Sequence, residues 1–156
     1  MAGLPYKRPI SVLVVIHTAT LQVLLLERVV PPGFWQSVTG SLEADESPLQ
    51  AAIREVNEET GLTVSSDQLR DWHLTNRFEI LKDWRARYAP GVTHNTEHVF
   101  SLCVPAPRPV RLASAEHRMQ LWLPLAEAAG KASSWTNRDA ILMLPRLTAQ
   151  QPDAPG

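Results

Sequence analysis

The chain has 156 residues, 44% of them hydrophobic and 20% charged, the composition of one globular domain long enough to bury a core. A formal net charge of −1 gives no overall attraction for a nucleic-acid polymer or an anionic membrane, so any basic site has to be local. The single cysteine, Cys103, excludes an intramolecular disulfide, and the longest apolar run, Val12 to Ile16, is too short to cross a bilayer. Pro5 and Pro9 interrupt the N-terminal stretch before any apolar region begins, so no signal peptide is read there and a cytoplasmic location is expected.

Ile10 to Ile16 is β-branched and almost wholly apolar, the pattern of a strand covered on both faces. Val23 to Leu26 repeats it, Pro31-Pro32-Gly33 predicts a turn, and Phe34 to Val38 reads as a further short strand ending near Gly40. A helix follows. Ser47 suits its N-cap, Pro48 its first position and Gln50 a capping box, with Gly61 as the C-terminal stop. Leu49, Ala52, Ile53, Val56 and Thr60 fall on one face of that helix.

Beyond it, Thr63-Val64 and Trp72 to Ile80 read as strand material, and Lys82 to Thr93 as a long polar loop. Thr96 to Val104 alternates as a strand, with Cys103 expected as a buried thiol. Gln120 to Leu123 is another strand and Pro124 to Lys131 a short helix. Thr136 is expected to cap a last helix through Leu144, which Pro145 kinks or ends. Gln150 to Gly156, with Pro152 and Pro155, reads as a disordered tail, leaving residues 1–149 as one domain. Strands interleaved with helices predict an α/β fold with a mixed sheet.

The helix between Ser47 and Gly61 carries its acids in an unfavourable place. Glu55 and Glu59, four residues apart, lie about 40° from each other and flank the apolar face, with Glu58 further toward solvent. Like charges at this spacing cost roughly 0.2–0.5 kcal/mol, and anions near the helix C-terminus oppose the macrodipole by roughly 0.3–1 kcal/mol each. A solvated acidic face is the alternative, with Arg54 pairing Glu58. Hard oxygen ligands at close spacing suit Mg²⁺, with Mn²⁺ as a substitute, and a divalent cation reverses the penalty.

From Gly40 the chain reads Gly-x5-Glu46-x7-Arg54-Glu55-Val56-x-Glu58-Glu59-x-Gly61-Leu62. At ordinary residue abundances these fixed positions match by chance on the order of once in 10⁹ windows. The pattern is a complete Nudix box, and the chain resembles the Nudix hydrolases. That resemblance implies an α/β/α sandwich whose loop and helix hold divalent metal at a diphosphate. It implies Glu55, Glu59 and Glu58 as metal ligands, Arg54 as the group that orients a glutamate, Glu46 as support for the loop, and a carbonyl near Gly40 as a neutral ligand.

Further segments, among them Tyr6-Lys7-Arg8-Pro9, Phe34 to Gly40, Arg87 to Thr93, Asn95-Thr96-Glu97 and Ser134 to Arg138, are similar to the dihydroneopterin triphosphate pyrophosphatase branch of that family. A small-molecule triphosphate substrate is thereby implied. Lys7 and Arg28 are candidate phosphate ligands or solvated cations. Thr39 is a phosphate donor or a plain strand residue, and Ser134 an anion site or a helix cap. Phe78, Trp35 and Trp135 are candidate stacking surfaces or core aromatics. Glu79 can accept from a pterin edge, with Ile80 and Leu81 lining the same wall. Glu116, outside the box, is a further metal ligand or general base by this resemblance, sharing the catalytic role with Glu55. His94 and His98 have ligand spacing, but the segment reads as a strand and no third ligand follows, while His17, His73 and His117 form no group in the sequence.

The expected reaction is Mg²⁺-dependent hydrolysis of a triphosphate to the monophosphate and pyrophosphate. Clearance of dATP or damaged nucleoside triphosphates is the alternative within enzymes, and a non-catalytic nucleotide sensor the alternative outside them.

Overall fold

The structure, a computed structural model, describes residues 6–149 of the chain, so the expected tail at 150–156 lies outside the described residues. Strand β1 (Ile10–Thr18) is the axis of a seven-stranded mixed sheet. Its apolar run is buried on both faces, which lets strands pair with it on both edges. Along one edge β6 (His94–Val104) runs parallel to it, in register from Ile10↔Thr96 to Thr18↔Val104. Outside β6 lies antiparallel β5 (Leu69–Glu79), with a bulge between Asp71 and Thr75.

The other edge of β1 is shared. Strand β2 (Gln22–Arg28) meets it at His17↔Val23, whereas β4 (Val38–Ser41) pairs with its first half, Ser11 to Val14. Strands β3 (Trp35–Gln36) and β7 (His117–Pro124) both pair with β2. The sequence predicts one strand from Phe34 to Val38; the chain instead changes partner at Ser37. Asn137 holds that switch by accepting from the Ser37 N–H at 2.7 Å and donating to its Oγ at 2.9 Å.

Alternation along β1 sorts the core into two layers. Val12, Val14 and Ile16 meet helix α1 (Pro48–Thr60) through Ala52 and Val56, and Leu13 and Val15 meet helices α2 (Leu125–Lys131) and α3 (Trp135–Ala149) through Ala128, Ala140 and Ile141. The result is the expected α/β/α sandwich. Among the described residues no helix is long and apolar enough to cross a membrane.

Several boundaries differ from expectation. Thr63-Val64 is not a strand; Val64 packs on the core and Ser65 starts a short 3₁₀ turn, Ser66–Gln68. The loop after β5 contains a second such turn, Lys82–Arg87. Ser134, not Thr136, caps α3, accepting from the Asn137 N–H at 3.2 Å, and α3 continues through Pro145. Cys103 is exposed, because β5 begins at Leu69 opposite Leu102 and leaves Cys103 uncovered on that side.

Asn137→Ala leaves a buried Ser37 N–H unsatisfied, so urea unfolding is expected to show a loss of about 1–3 kcal/mol. A loss well below that range would show that the strand switch does not depend on this pair.

Candidate metal and phosphate site

The capping box forms as read: the Gln50 N–H donates to Ser47 Oγ at 3.2 Å and the Ser47 N–H to Gln50 Oε1 at 2.9 Å. Gly61 ends α1 at φ 76°, in the left-handed region, with its N–H on Asn57 O at 2.8 Å. With both ends fixed and Ala52 and Val56 buried, Glu55 and Glu59 turn toward the sheet. They are only 9% and 2% exposed.

Arg54 organises the acids around it. Its Nε and Nη2 donate to the two Glu46 carboxylate oxygens at 2.7 and 2.9 Å, a bidentate pair. Its Nη1 reaches Glu55 at 2.7 Å and Glu58 at 3.1 Å, and Nη2 also donates to Ser41 O at 3.0 Å. The guanidinium holds Glu46 below the usual carboxylate range. Glu46 in turn accepts from the Glu43 N–H at 2.8 Å, closing the loop against the helix.

Burial pushes Glu55 up to about 7 against the pull of Arg54, and Glu58 and Glu116 add to the rise. Glu59 lies well above the ordinary range for the same reason, with Glu55 and Glu116 contributing. Only the Thr39 N–H, 3.1 Å from its Oε2, works the other way. A Cβ built on Gly40 would sit 2.2 Å from the Glu55 carboxyl carbon, so the close approach expected of this glycine is to a carboxylate.

His117, which forms no group in the sequence, closes the cluster. It is 2% exposed, and burial with the nearby Arg28 charge lowers it to about 4, so the ring is neutral. The Gln36 amide donates to Nε2 at 3.0 Å, which leaves the hydrogen on Nδ1. That nitrogen has no hydrogen-bond partner among the described residues and lies 3.5 Å from Glu59 Oε1. Atoms of Glu59, Glu116 and His117 lie within 4.8 Å of one another. Buried carboxylates with one guanidinium among them fit a hard divalent cation, and an imidazole N–H beside Glu59 suits a ligand's supporting donor.

A cleft of about 980 Å³ opens over this cluster. Lys7, Arg28, Thr39, Glu55, Glu58, Glu59 and Glu116 line it together. Arg87 lines it too and was legible only as part of a flanking motif; the Lys7 N–H donates to its carbonyl at 2.9 Å. Glu116 arrives because its carbonyl accepts from the Val29 N–H at 2.9 Å. Thr39 Oγ1 donates to Val12 O at 2.9 Å, so its hydroxyl is engaged within the sheet.

Phe78, Glu79, Ile80, Leu81 and Ser134 do not line this cleft. Glu79 is exposed and paired with Arg85, Ile80 is 3% exposed, and Leu81 faces solvent. Trp35 packs on the core under Lys131, whose Nζ lies 4.7 Å from its ring centre, and Trp135 is exposed.

Residues 7–144 match the NUDIX domain. The chain is 49% identical to the dihydroneopterin triphosphate diphosphatase of Escherichia coli K12 over 139 residues, 87% of this chain and 91% of that enzyme. It is 43% identical to the enzyme of the same name from Haemophilus influenzae, covering 87% of each. The solved structure of the E. coli dihydroneopterin triphosphate pyrophosphohydrolase superposes with a TM-score of 0.81, covering 87% of this chain and 94% of that one.

Glu55 holds its proton more tightly folded than unfolded, up to about 7 against 4.5, and Glu59 shifts in the same direction. Folded protein therefore loses stability as pH rises through that window. Metal-free protein is expected to melt lower at pH 8 than at pH 5.5. Mg²⁺ at a hundredfold excess over its Kd should restore about 2.7 kcal/mol at pH 8. Glu59→Gln should flatten both responses; an unchanged Mg²⁺ response in that variant would remove Glu59 from the site. Gly40→Ala displaces the Glu55 carboxylate, and a shift of that order lowers turnover by about 10²-fold. Turnover assays showing wild-type rates in a folded Gly40→Ala would contradict the packing described.

Proposed function

Because the chain belongs to the NUDIX hydrolase family, we propose that it is a Mg²⁺-dependent pyrophosphohydrolase acting on dihydroneopterin triphosphate in folate biosynthesis. The supporting observation is one cleft lined both by the buried carboxylates Glu55 and Glu59 and by the cations Lys7, Arg28 and Arg87. The names borne by the half-identical relatives support the pterin substrate.

Glu55, Glu59 and Glu116 would hold the metal, with Glu58 at the rim, and a bound Mg²⁺ would supply neutralisation of phosphate charge and a more acidic water. The cations lining the same cleft bind and orient the triphosphate, whose charge they match. Arg54 keeps Glu55 and Glu58 in place. Glu55 is held by Arg54 at 2.7 Å, whereas the Glu116 side chain has no ion pair among the described residues, so Glu116 is the carboxylate that takes the proton of the attacking water. The water oxygen bonds to one phosphorus as its bond to the bridging oxygen breaks, and pyrophosphate leaves with the bonding pair. Residues 1–149 act as one cytoplasmic catalytic domain on a small molecule, and a net charge of −1 gives no broad attraction to nucleic acid or membrane.

Purified protein with Mg²⁺ is expected to release pyrophosphate from dihydroneopterin triphosphate with a higher kcat/KM than from dATP. A dATP preference would overturn the pterin assignment, and binding without turnover would overturn hydrolysis.

A further inference from the structure

Away from the carboxylate cluster, two buried acceptors have no hydrogen-bond partner among the described residues: Glu97 Oε1 and Asn95 Oδ1. Their side chains are 5% and 3% exposed, and a buried polar atom left unpaired is costly enough to require an explanation. The two residues are two apart on β6 and so leave the same face of the sheet. Register pairs put Ser11 and Asn76 beside Glu97, and Phe78 beside Asn95. Ser11 pairs in turn with Ser41, which lines the phosphate cleft.

Paired residues share a face, so Glu97, Ser11 and Ser41 form a polar row running into that cleft. The Asn95 amide donates to Ser11 Oγ at 2.7 Å, which leaves its oxygen as the free end. Thr136 of α3 and Asn76 draw the Glu97 carboxyl toward its charged form, while burial pushes it up to about 7. An ionised carboxylate and an amide oxygen only accept hydrogen bonds. The ligand edge that satisfies both presents adjacent donors, a ring N–H beside an exocyclic amino group, as a 2-amino-4-oxopyrimidine ring does. Adenine sets an acceptor beside its amino group and leaves one oxygen unpaired.

We propose that Glu97, with Asn95 beside it, is the specificity-determining acceptor pair that reads the 2-amino-4-oxo edge of the substrate's ring. The assignment rests on the pterin reading above and identifies the groups that enforce it. Both oxygens are closed to solvent, with Thr136 of α3 and Asn76 beside the Glu97 carboxyl, so neighbouring side chains have to move aside for a ring edge to reach them. Phe78, half-buried on the same face, supplies a flat wall beside the ring.

The test compares kcat/KM for dihydroneopterin triphosphate, dGTP and dATP, with Mg²⁺, in wild type and Glu97→Gln. Losing a hydrogen bond to a charged acceptor is expected to cost about 10–100-fold on the two 2-amino-4-oxo substrates. Turnover of dATP is retained or raised, since a glutamine amide offers the donor and acceptor that adenine matches. Equal losses on all three substrates would show a structural role and overturn the proposal, as would an unchanged preference. Should Glu97→Gln fail to fold, Glu97→Asp carries the same test by withdrawing the oxygen while keeping the charge. A wild type that prefers dATP sinks the substrate reading and this inference with it. A wild type that prefers the pterin while the variants keep its preference sinks the assignment of Glu97 alone.

Discussion

Glu59 is a carboxylate placed where a carboxylate is least comfortable, 2% exposed, near the C-terminal end of a helix and close to two further acids. The surrounding structure answers that placement. Thr39 donates a backbone N–H to one of its oxygens, and His117 presents an N–H edge toward the other. Gln36 fixes which nitrogen of the imidazole carries the hydrogen. None of these supplies a positive charge to Glu59, an arrangement that fits the divalent metal used by the NUDIX hydrolases.

Arg54 explains why the helix tolerates its other acids. A planar guanidinium reaches Glu46, Glu55 and Glu58 at once, which a lysine ammonium has no geometry to do. Its bond to the Ser41 carbonyl ties that acid network to the end of β4. Gly40 supplies the space, since any side chain there would occupy the position of the Glu55 carboxylate.

The sheet contributes the rest through a fork. Strand β1 gives one edge to β6 and divides the other between β4 and β2, so the chain crosses between strands at Ser37. Segments from distant parts of the sequence are tied together here by backbone bonds, the Val29 N–H to the Glu116 carbonyl and the Lys7 N–H to the Arg87 carbonyl. Carboxylates of the helix, Glu116, the cations Lys7, Arg28 and Arg87, and Ser41 therefore line one opening, with Ser11 and Glu97 buried behind Ser41 in the sheet.

Determined by the sequence alone were the features that depend on local spacing. The capped helix from Ser47 to Gly61, the grouping of Glu55, Glu58 and Glu59 with Arg54, and the doubly covered strand at Ile10 follow from helical and strand periodicity. The α/β/α class followed from the resemblance the box carried. Features that depend on residues far apart in the chain were decided only by the tertiary structure. His117 joins the acids through Gln36, 81 residues away, and Asn137 divides the Phe34 to Val38 segment from a distance of 100 residues. Glu79 was the expected acceptor for a pterin edge, but its exposed side chain turns to Arg85. Glu97 passed as an ordinary residue of a flanking motif, because only its neighbours in the sheet reveal that it is buried with an oxygen unpaired. Local spacing sets which face a side chain takes, and folding sets what that face meets.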